Sequence, residues 1–346
     1  MPQGSVLGGL IFLIFQNDFP ENYEDGSGES VLYADDDTDI VSHKDPEVLQ
    51  IKLQKKADKS TEWYHDNGMI CSGDKTKLLI MSTKELRSSK LTATDKSIDI
   101  KVCNKPVKES VSERLLGLTV KNDLSWSAHL YGNGLSGKEK TVGLLTQLSQ
   151  RVGILKRLKS FTQPKQFSSI LNGLFTSKLT YGIQIFGNVW GLPTMDAENR
   201  KFSSFTKEDN RRLQVLQNKV LRLKTGLDRY TPTNLLVKIS EELSVQQLTA
   251  YHTLMTVFKA IRFKKPLYLF NKLELRQPID NQVFPHRQLN NVYIKAGLTI
   301  SRGGTLFRGA KLWNLLSDDL KTEISQVKFK TNVKQWIRAN VPTKPP

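Results

Sequence analysis

Val31-Leu32-Tyr33-Ala34-Asp35-Asp36-Asp37-Thr38-Asp39-Ile40 is the stretch on which the reading of this chain turns. Leu32, Tyr33 and Ala34 suit a buried strand, three consecutive carboxylates follow with a fourth at Asp39, and Ile40-Val41 returns to apolar character. This pattern predicts a tight β-hairpin with Asp35 and Asp36 at its tip. Adjacent carboxylates repel one another, so a turn that holds them together needs a cation or open water. Carboxylate oxygens in a shallow, hydrated site suit Mg²⁺, which binds a couple of carboxylates together with phosphate oxygens; Mn²⁺ is its usual substitute. An acidic, merely solvated turn is the other reading.

Upstream, Pro2-Gln3-Gly4-Ser5-Val6-Leu7-Gly8 opens a run in which Val6, Leu7, Leu10, Ile11, Leu13 and Ile14 recur at helical spacing. Gln3-Gly4 reads as a turn and Ser5 as the N-cap. A glycine-bearing turn at a helix N-terminus can present bare backbone N–H groups to a phosphate or sugar, while the hairpin supplies the metal that the phosphate requires.

Three segments in order, Pro2-Gln3-Gly4-Ser5-Val6-Leu7-Gly8, Asn17-Asp18-Phe19-Pro20 and Tyr33-Ala34-Asp35-Asp36, resemble the second half of the palm of a reverse transcriptase. The likeness is to non-LTR retrotransposons of the jockey-like group. Downstream, Leu115-Leu116-Gly117-Leu118-Thr119-Val120 followed by Asp123-Leu124-Ser125-Trp126 is similar to the family's primer-grip segment. The helices after Trp126 resemble its thumb, and Phe307-Arg308-Gly309-Ala310-Lys311-Leu312-Trp313-Asn314-Leu315-Leu316 its C-terminal block. The family commonly has proline where Ala310 and Ser317 stand.

The resemblance implies an RNA-directed DNA polymerase, a nucleotidyltransferase working by the two-metal mechanism on an RNA template, a DNA primer and deoxynucleotide triphosphates. Asp35 and Asp36 would be catalytic and bind Mg²⁺ or Mn²⁺. Gln3 and Gly4 would contact the incoming nucleotide or its template base. Lys75, or Lys77 in its stead, would lie near the nucleotide phosphates, although Cys71-Ser72-Gly73-Asp74 departs from the family's context there. Leu116 and Gly117 would steady the primer. In the family, fingers and the first half of the palm, with a metal-binding aspartate, precede the segment that begins here at Met1. The chain therefore resembles a fragment, expected to be inactive in isolation. The rival from another class is a nucleic-acid-binding remnant of a mobile element with no catalysis.

Composition bounds these readings. At 346 residues there is room for two or three domains, and 38% hydrophobic with 25% charged residues is ordinary for a globular chain. The apolar run Val6 to Phe15 is too short to span a bilayer and lacks the flanks of a signal peptide. No membrane partner is expected, and with no clear targeting signal the expectation is an intracellular protein, nuclear or cytoplasmic. Cys71 and Cys103 are isolated and the five histidines lack ligand spacing, which argues against a disulfide and against structural zinc. The net charge of +17 is unevenly placed: residues 1–50 hold Lys44 against eleven acidic residues, and the remainder holds 50 basic against 23 acidic. An acidic pocket followed by a basic body fits a metal site leading into a polyanion track; a solubilising surface is the plain alternative.

Taken in order, Asp45 and Pro46 start a helix whose apolar positions Leu49, Leu53 and Ala57 recur at every fourth residue, with Trp63 and Tyr64 beyond, ending at Asn67-Gly68. Leu78 to Met81 reads as a buried strand, and Ile98, Ile100 and Val102 alternate toward a turn at Asn104-Lys105. Gly117 reads as a strand glycine that lets another backbone approach, or as a bulge. Leu144, Leu148, Val152 and Leu155 mark one helix, and about Pro164 to Tyr181, with Phe167, Leu171, Leu174 and Phe175, a second. After a polar loop from Leu192 to Lys207, Leu213, Leu216, Val220 and Leu221 mark another, and Leu243 to Ile261 one more. Residues 271–308 read as mostly irregular. The fold class expected is α+β: an incomplete reverse-transcriptase palm, an antiparallel sheet with helices, over 1–126, thumb-like helices over 127–191, and a helical C-terminal region over 208–346.

Overall fold

A computed structural model of the chain describes residues 5–19, 28–81, 98–134, 141–192, 205–275, 291–293 and 304–345. The architecture is mixed α+β, mostly helical, with small sheets. Two compact units divide it: residues 1–113 with 121–123, and residues 114–120 with 124–346.

In the first unit, α1 (Gly8–Phe15) follows a turn in which the Gly8 N–H donates to the Ser5 carbonyl at 3.1 Å. Leu7, not Ser5, is the N-cap, and no side chain caps the helix. α1 buries none of its residues; at its C-terminal end Phe15 lies edge-on to Trp63 at 6.0 Å between ring centroids. β1 (Glu29–Tyr33) and β2 (Asp36–Ile40) form an antiparallel hairpin as expected, but its connection is Ala34–Asp35, one residue earlier than Asp35–Asp36, and the strand expected to be buried leaves Val31 and Tyr33 exposed.

α2 (Pro46–Asp66) starts and stops where its local code directs. The Asp45 carboxylate accepts from the Glu47 N–H at 2.8 Å, Pro46 fills the first turn where its missing N–H goes unmissed, and Asn67 closes the helix. α2 packs through Leu49, Leu53 and Ala57 on Ile98, Ile100, Val102 and Val107. Its Gln54 side chain donates to the Lys101 carbonyl (2.9 Å) and accepts from the Lys101 N–H (2.8 Å), occupying an otherwise unpaired strand edge.

The strands are shorter than expected. β3 (Lys77–Leu78) takes only the first part of the Leu78–Met81 run, and β4 (Lys101–Val102) pairs with β5 (Lys105–Pro106). The turn between the latter is Cys103–Asn104, both left-handed at φ 51° and 61°, one residue earlier than predicted. β6 (Lys108–Glu109) pairs in parallel with β3. β7 (Ser112–Leu115) and β8 (Leu118–Lys121) make a further hairpin. The described residues thus form separate two-stranded ladders in place of one antiparallel sheet, because each run is ended by its turn before a third strand is reached.

The second unit is helical: α3 (Ser127–Tyr131), α4 (Leu144–Leu158), α5 (Pro164–Leu171), a π-helical turn (Asn172–Thr176), α6 (Ser177–Thr180) and α7 (Ile183–Phe186). The single helix read over Pro164 to Tyr181 is therefore interrupted by a π-turn. α8 (Lys207–Thr225), α9 (Thr233–Ser240), α10 (Val245–Phe263) and α11 (Leu267–Lys272) follow. β9 (Glu274–Leu275) pairs with β10 (Val292–Tyr293), and α12 (Thr305–Asn314), α13 (Asp318–Thr322) and α14 (Gln326–Asn340) complete the unit. Reciprocal capping boxes, Thr206 with Asp209 and Ser244 with Gln247, start α8 and α10.

One core of this unit gathers Leu144, Leu148 and Leu155 with Phe167, Phe175 and Phe186, and it is completed by Phe205, Leu213, Val220 and Val245. A second is centred on α10, with Phe258 stacked on Phe329 at 4.1 Å and Trp313 beside them, and a small third joins Leu221 to Leu236 and Val237.

Candidate functional site

The geometry of the acidic hairpin follows from its register. Tyr33 pairs with Asp36, so the connection is the two residues Ala34 and Asp35. Such a tight turn needs a left-handed residue, and Ala34 supplies it at φ 54° without being glycine. A residue with a Cβ in that region stores strain, and strain of this kind concentrates at functional sites. The outcome is two adjacent exposed carboxylates, Asp35 and Asp36, neither of them in an ion pair among the described residues.

Strand alternation then separates the four aspartates. Glu29, Val31, Tyr33, Thr38 and Ile40 share one face, and Ser30, Leu32, Asp37 and Asp39 share the other, which turns toward α2. Asp39 accepts from the Ser30 hydroxyl at 2.6 Å and the Ser60 hydroxyl at 3.1 Å, and lies 3.4 Å from the ammonium of Lys56, which is fully buried. Burial, and after it the Asp39 charge, pushes the Asp37 carboxyl up to about 7; Lys56 and a hydrogen bond from Tyr64 act in the opposite direction. Asp37 and Asp39 therefore serve the packing of hairpin on helix, while Asp35 and Asp36 remain open to solvent.

The donor set at the tip fits a hard divalent cation held jointly with phosphate oxygens, since it supplies two carboxylates and leaves the remaining positions open. Among the described residues, no group of three or more His, Cys, Asp or Glu side chains is arranged to hold a metal by itself. Asp18 is exposed on its own turn.

The other predicted site residues fall as follows. Gln3 and Gly4 lie outside the described residues. Lys75 and Lys77 are exposed, Lys75 in a turn whose N–H donates to the Ser72 carbonyl at 3.1 Å, and neither is bonded to Asp35 or Asp36. The neighbouring ion pair belongs to Lys105 and Asp74 at 2.5 Å.

Leu116 and Gly117 form the turn of the β7–β8 hairpin, both left-handed at φ 47° and 85°. Gly117 is thus a turn residue, and neither a strand glycine nor a bulge. What approaches it is a side chain: the Tyr181 hydroxyl donates to the Leu116 carbonyl at 2.5 Å, and a Cβ on Gly117 would stand 3.2 Å from the Tyr181 ring. Next to it, the buried His129 accepts the Thr119 N–H on Nδ1 at 3.3 Å and lies against Phe186, ring centroids 5.0 Å apart. Burial first, then the charges of Lys178 and Arg114, hold His129 down to about 4.

Sequence reasoning missed Tyr181 as the pin on this turn, a pairing across 65 residues. It also missed Arg308, which is buried at 3% exposure and donates to the Gln184 and Ile185 carbonyls at 2.9 and 3.0 Å. Burial lowers that guanidinium to about 10. The only signal in the sequence was an arginine placed on the apolar face of α12, between Thr305 and Leu312.

Cys71 and Cys103 are both free, the Cys103 thiol donating to the Cys71 carbonyl at 3.3 Å. No helix of the described residues is long and apolar enough to cross a membrane. Comparison of the chain with family models, with curated proteins and with solved structures finds no match.

Proposed function

We propose that the chain derives from the polymerase region of a non-LTR retrotransposon reverse transcriptase, with the Asp35–Asp36 tip as its metal-holding element and the basic remainder as its grip on nucleic acid. The observation that carries this reading is the two-residue hairpin connection. It presents a pair of carboxylates that have no ion-pair partner among the described residues, on a backbone strained at Ala34, in a chain whose sequence resembles that family over the same residues. A divalent metal bound there would activate a primer hydroxyl and stabilise the leaving pyrophosphate. Asp35 and Asp36 would hold it, and the RNA template, DNA primer and deoxynucleotide triphosphate would be the ligands.

Two-metal transfer draws carboxylates from both sides of a cleft, and the tip offers one side. Primer extension tests the reading on the purified chain, alone and fused in frame behind the fingers and first palm half of a non-LTR enzyme, with Mg²⁺ or Mn²⁺. The expected result is no extension by the chain alone, extension by the fusion, and loss of that activity in Asp35→Ala. A fusion that extends equally well with Asp35→Ala and Asp36→Ala overturns the metal role. A fusion that binds template–primer without extending it leaves a non-enzymatic nucleic-acid-binding remnant, the reading favoured by the charge partition alone.

A further inference from the structure

Three cations from three separate elements of the second unit are brought together by two hydrogen bonds. Tyr181 seats the β7–β8 turn on the end of α6 through the Leu116 carbonyl. Arg114 lies in β7, two residues before Leu116, and Lys178 lies one helical turn before Tyr181. On the other side, the Arg151 guanidinium reaches from α4 to donate to the Leu174 carbonyl inside the π-helical turn, one turn before Lys178.

Among the described residues, none of the three has a carboxylate partner. Lys178 and Arg151 are half-buried, so water compensates them only in part. Burial first, and then the Arg114 and Arg151 charges, hold the Lys178 ammonium below the usual lysine range. A solubilising surface keeps its lysines apart and fully hydrated; here like charges are pinned together where hydration is reduced, an arrangement that an anion relieves.

We propose that Arg114, Arg151 and Lys178 form a phosphate site that takes the phosphodiester backbone of a nucleic-acid strand lying beside the Leu116–Gly117 turn. The source of the phosphate rests on the functional reading above; the cluster itself rests on the two hydrogen bonds and the missing counter-charge. Two arginines at fixed positions offer forked donors to phosphate oxygens, and the lysine adds a point charge between them.

The test is fluorescence anisotropy of the full chain with a labelled RNA–DNA duplex across a salt series, for wild type, Arg114→Gln/Lys178→Met, Arg114→Lys, and the control Lys156→Met/Lys165→Met, which removes two exposed lysines of α4 and α5. Counterion release predicts that the slope of log affinity against log salt loses about 1 per phosphate contact, so about 2 in the cluster double variant. Arg114→Lys should retain the wild-type slope, and the control should lose less than the cluster variant. Thermal unfolding should show Lys178→Met unchanged or stabilised, because a repulsion is removed; a purely structural lysine would give the opposite. An unchanged slope in the cluster variant, or an equal loss in the control, overturns the site while wild-type binding keeps the functional reading. Wild type that binds no nucleic acid overturns both. Calorimetry with tripolyphosphate supplies the remaining arm: if its binding is lost in the cluster variant while duplex binding is untouched, the site takes a free polyphosphate and the backbone assignment falls.

Discussion

The two units place their apolar side chains in opposite ways. In residues 124–346, α10 buries eleven of its nineteen residues, and Phe258, Trp313 and Phe329 are almost completely removed from water. In residues 1–113, the most apolar helix is the least buried: Leu10, Leu13 and Ile14 of α1 are each more than half exposed, and so are Tyr33 and Ile51. The unit that carries the acidic tip thus holds a small core around Ala57 and Trp63, while the unit that carries most of the buried apolar area carries the phosphate-site cations. Burial scales with stabilisation, so most of the stability of the chain resides in the second unit.

The largest effect that bears on this contrast is a cavity in the second unit. Phe258→Ala should lower its stability by about 3–5 kcal/mol, as for other buried phenylalanines. Ile70→Ala in the first unit, where the side chain is 95% exposed, should change little. Urea unfolding followed by tryptophan fluorescence in single-tryptophan chains, retaining Trp63 for the first unit or Trp313 for the second, separates the two. Equal losses would show that the units unfold as one.

Acidity should then move the units in opposite directions. Asp37 titrates at about 7 when folded and near 3.8 when unfolded, so the folded first unit binds the extra proton between those values. Its stability should fall as pH rises from about 4 to about 7. His129 titrates at about 4 when folded against 6.5 unfolded, and His252 is lowered by burial too. The second unit should therefore gain stability as pH rises from about 4 to about 6.5. Asp37→Asn should flatten the first profile and leave the second untouched; hydrogen exchange across that pH range, corrected for intrinsic rates, reads both. Parallel profiles would contradict the assignment.

A smaller effect probes the first unit's best-formed element. Asp45→Ala removes the cap of α2 and should lower the stability of that unit by about 1 kcal/mol. An unchanged first transition would mean that tertiary packing, not the cap, holds the helix start. Smallest in stability, but visible in solution behaviour, is Leu13→Lys on α1: at 63% exposure it should leave both transitions in place and reduce concentration-dependent self-association measured by light scattering.

Much of the local structure was legible because its causes are local. Asp45, Pro46, the fourfold recurrence of Leu49, Leu53 and Ala57, and Asn67 act within a turn of one another, and α2 begins and ends where they direct. Leu144, Leu148 and Leu155 act likewise, whereas the Ser244–Gln247 box went unread, and the helix it starts runs from Val245 to Phe263, where Leu243 to Ile261 was expected. The acidic hairpin was legible for the same reason: an apolar run, a carboxylate cluster and a second run leave a short turn as the only way back. The misreadings sit where one residue of register decides. Gly117 lies in a turn and not in a strand, the second turn is Cys103–Asn104, and the helix expected over Pro164 to Tyr181 takes a π-turn at Asn172 that shifts the faces of Phe175 and Leu179 relative to Phe167.

The sequence by itself determined the main amphipathic helices, the caps of α2, the acidic hairpin and the charge division between residues 1–50 and the rest, since periodicity, capping chemistry and net charge depend only on near neighbours and on composition. Only the tertiary structure decided which aspartates remain open and which lean on Lys56, that Tyr181 holds the Leu116–Gly117 turn, that Arg308 brackets the end of α7, and that Arg114, Arg151 and Lys178 converge. Each of these joins residues from 17 to more than 120 positions apart, and a contact over such separations depends on how whole elements pack, which no local pattern of residues records.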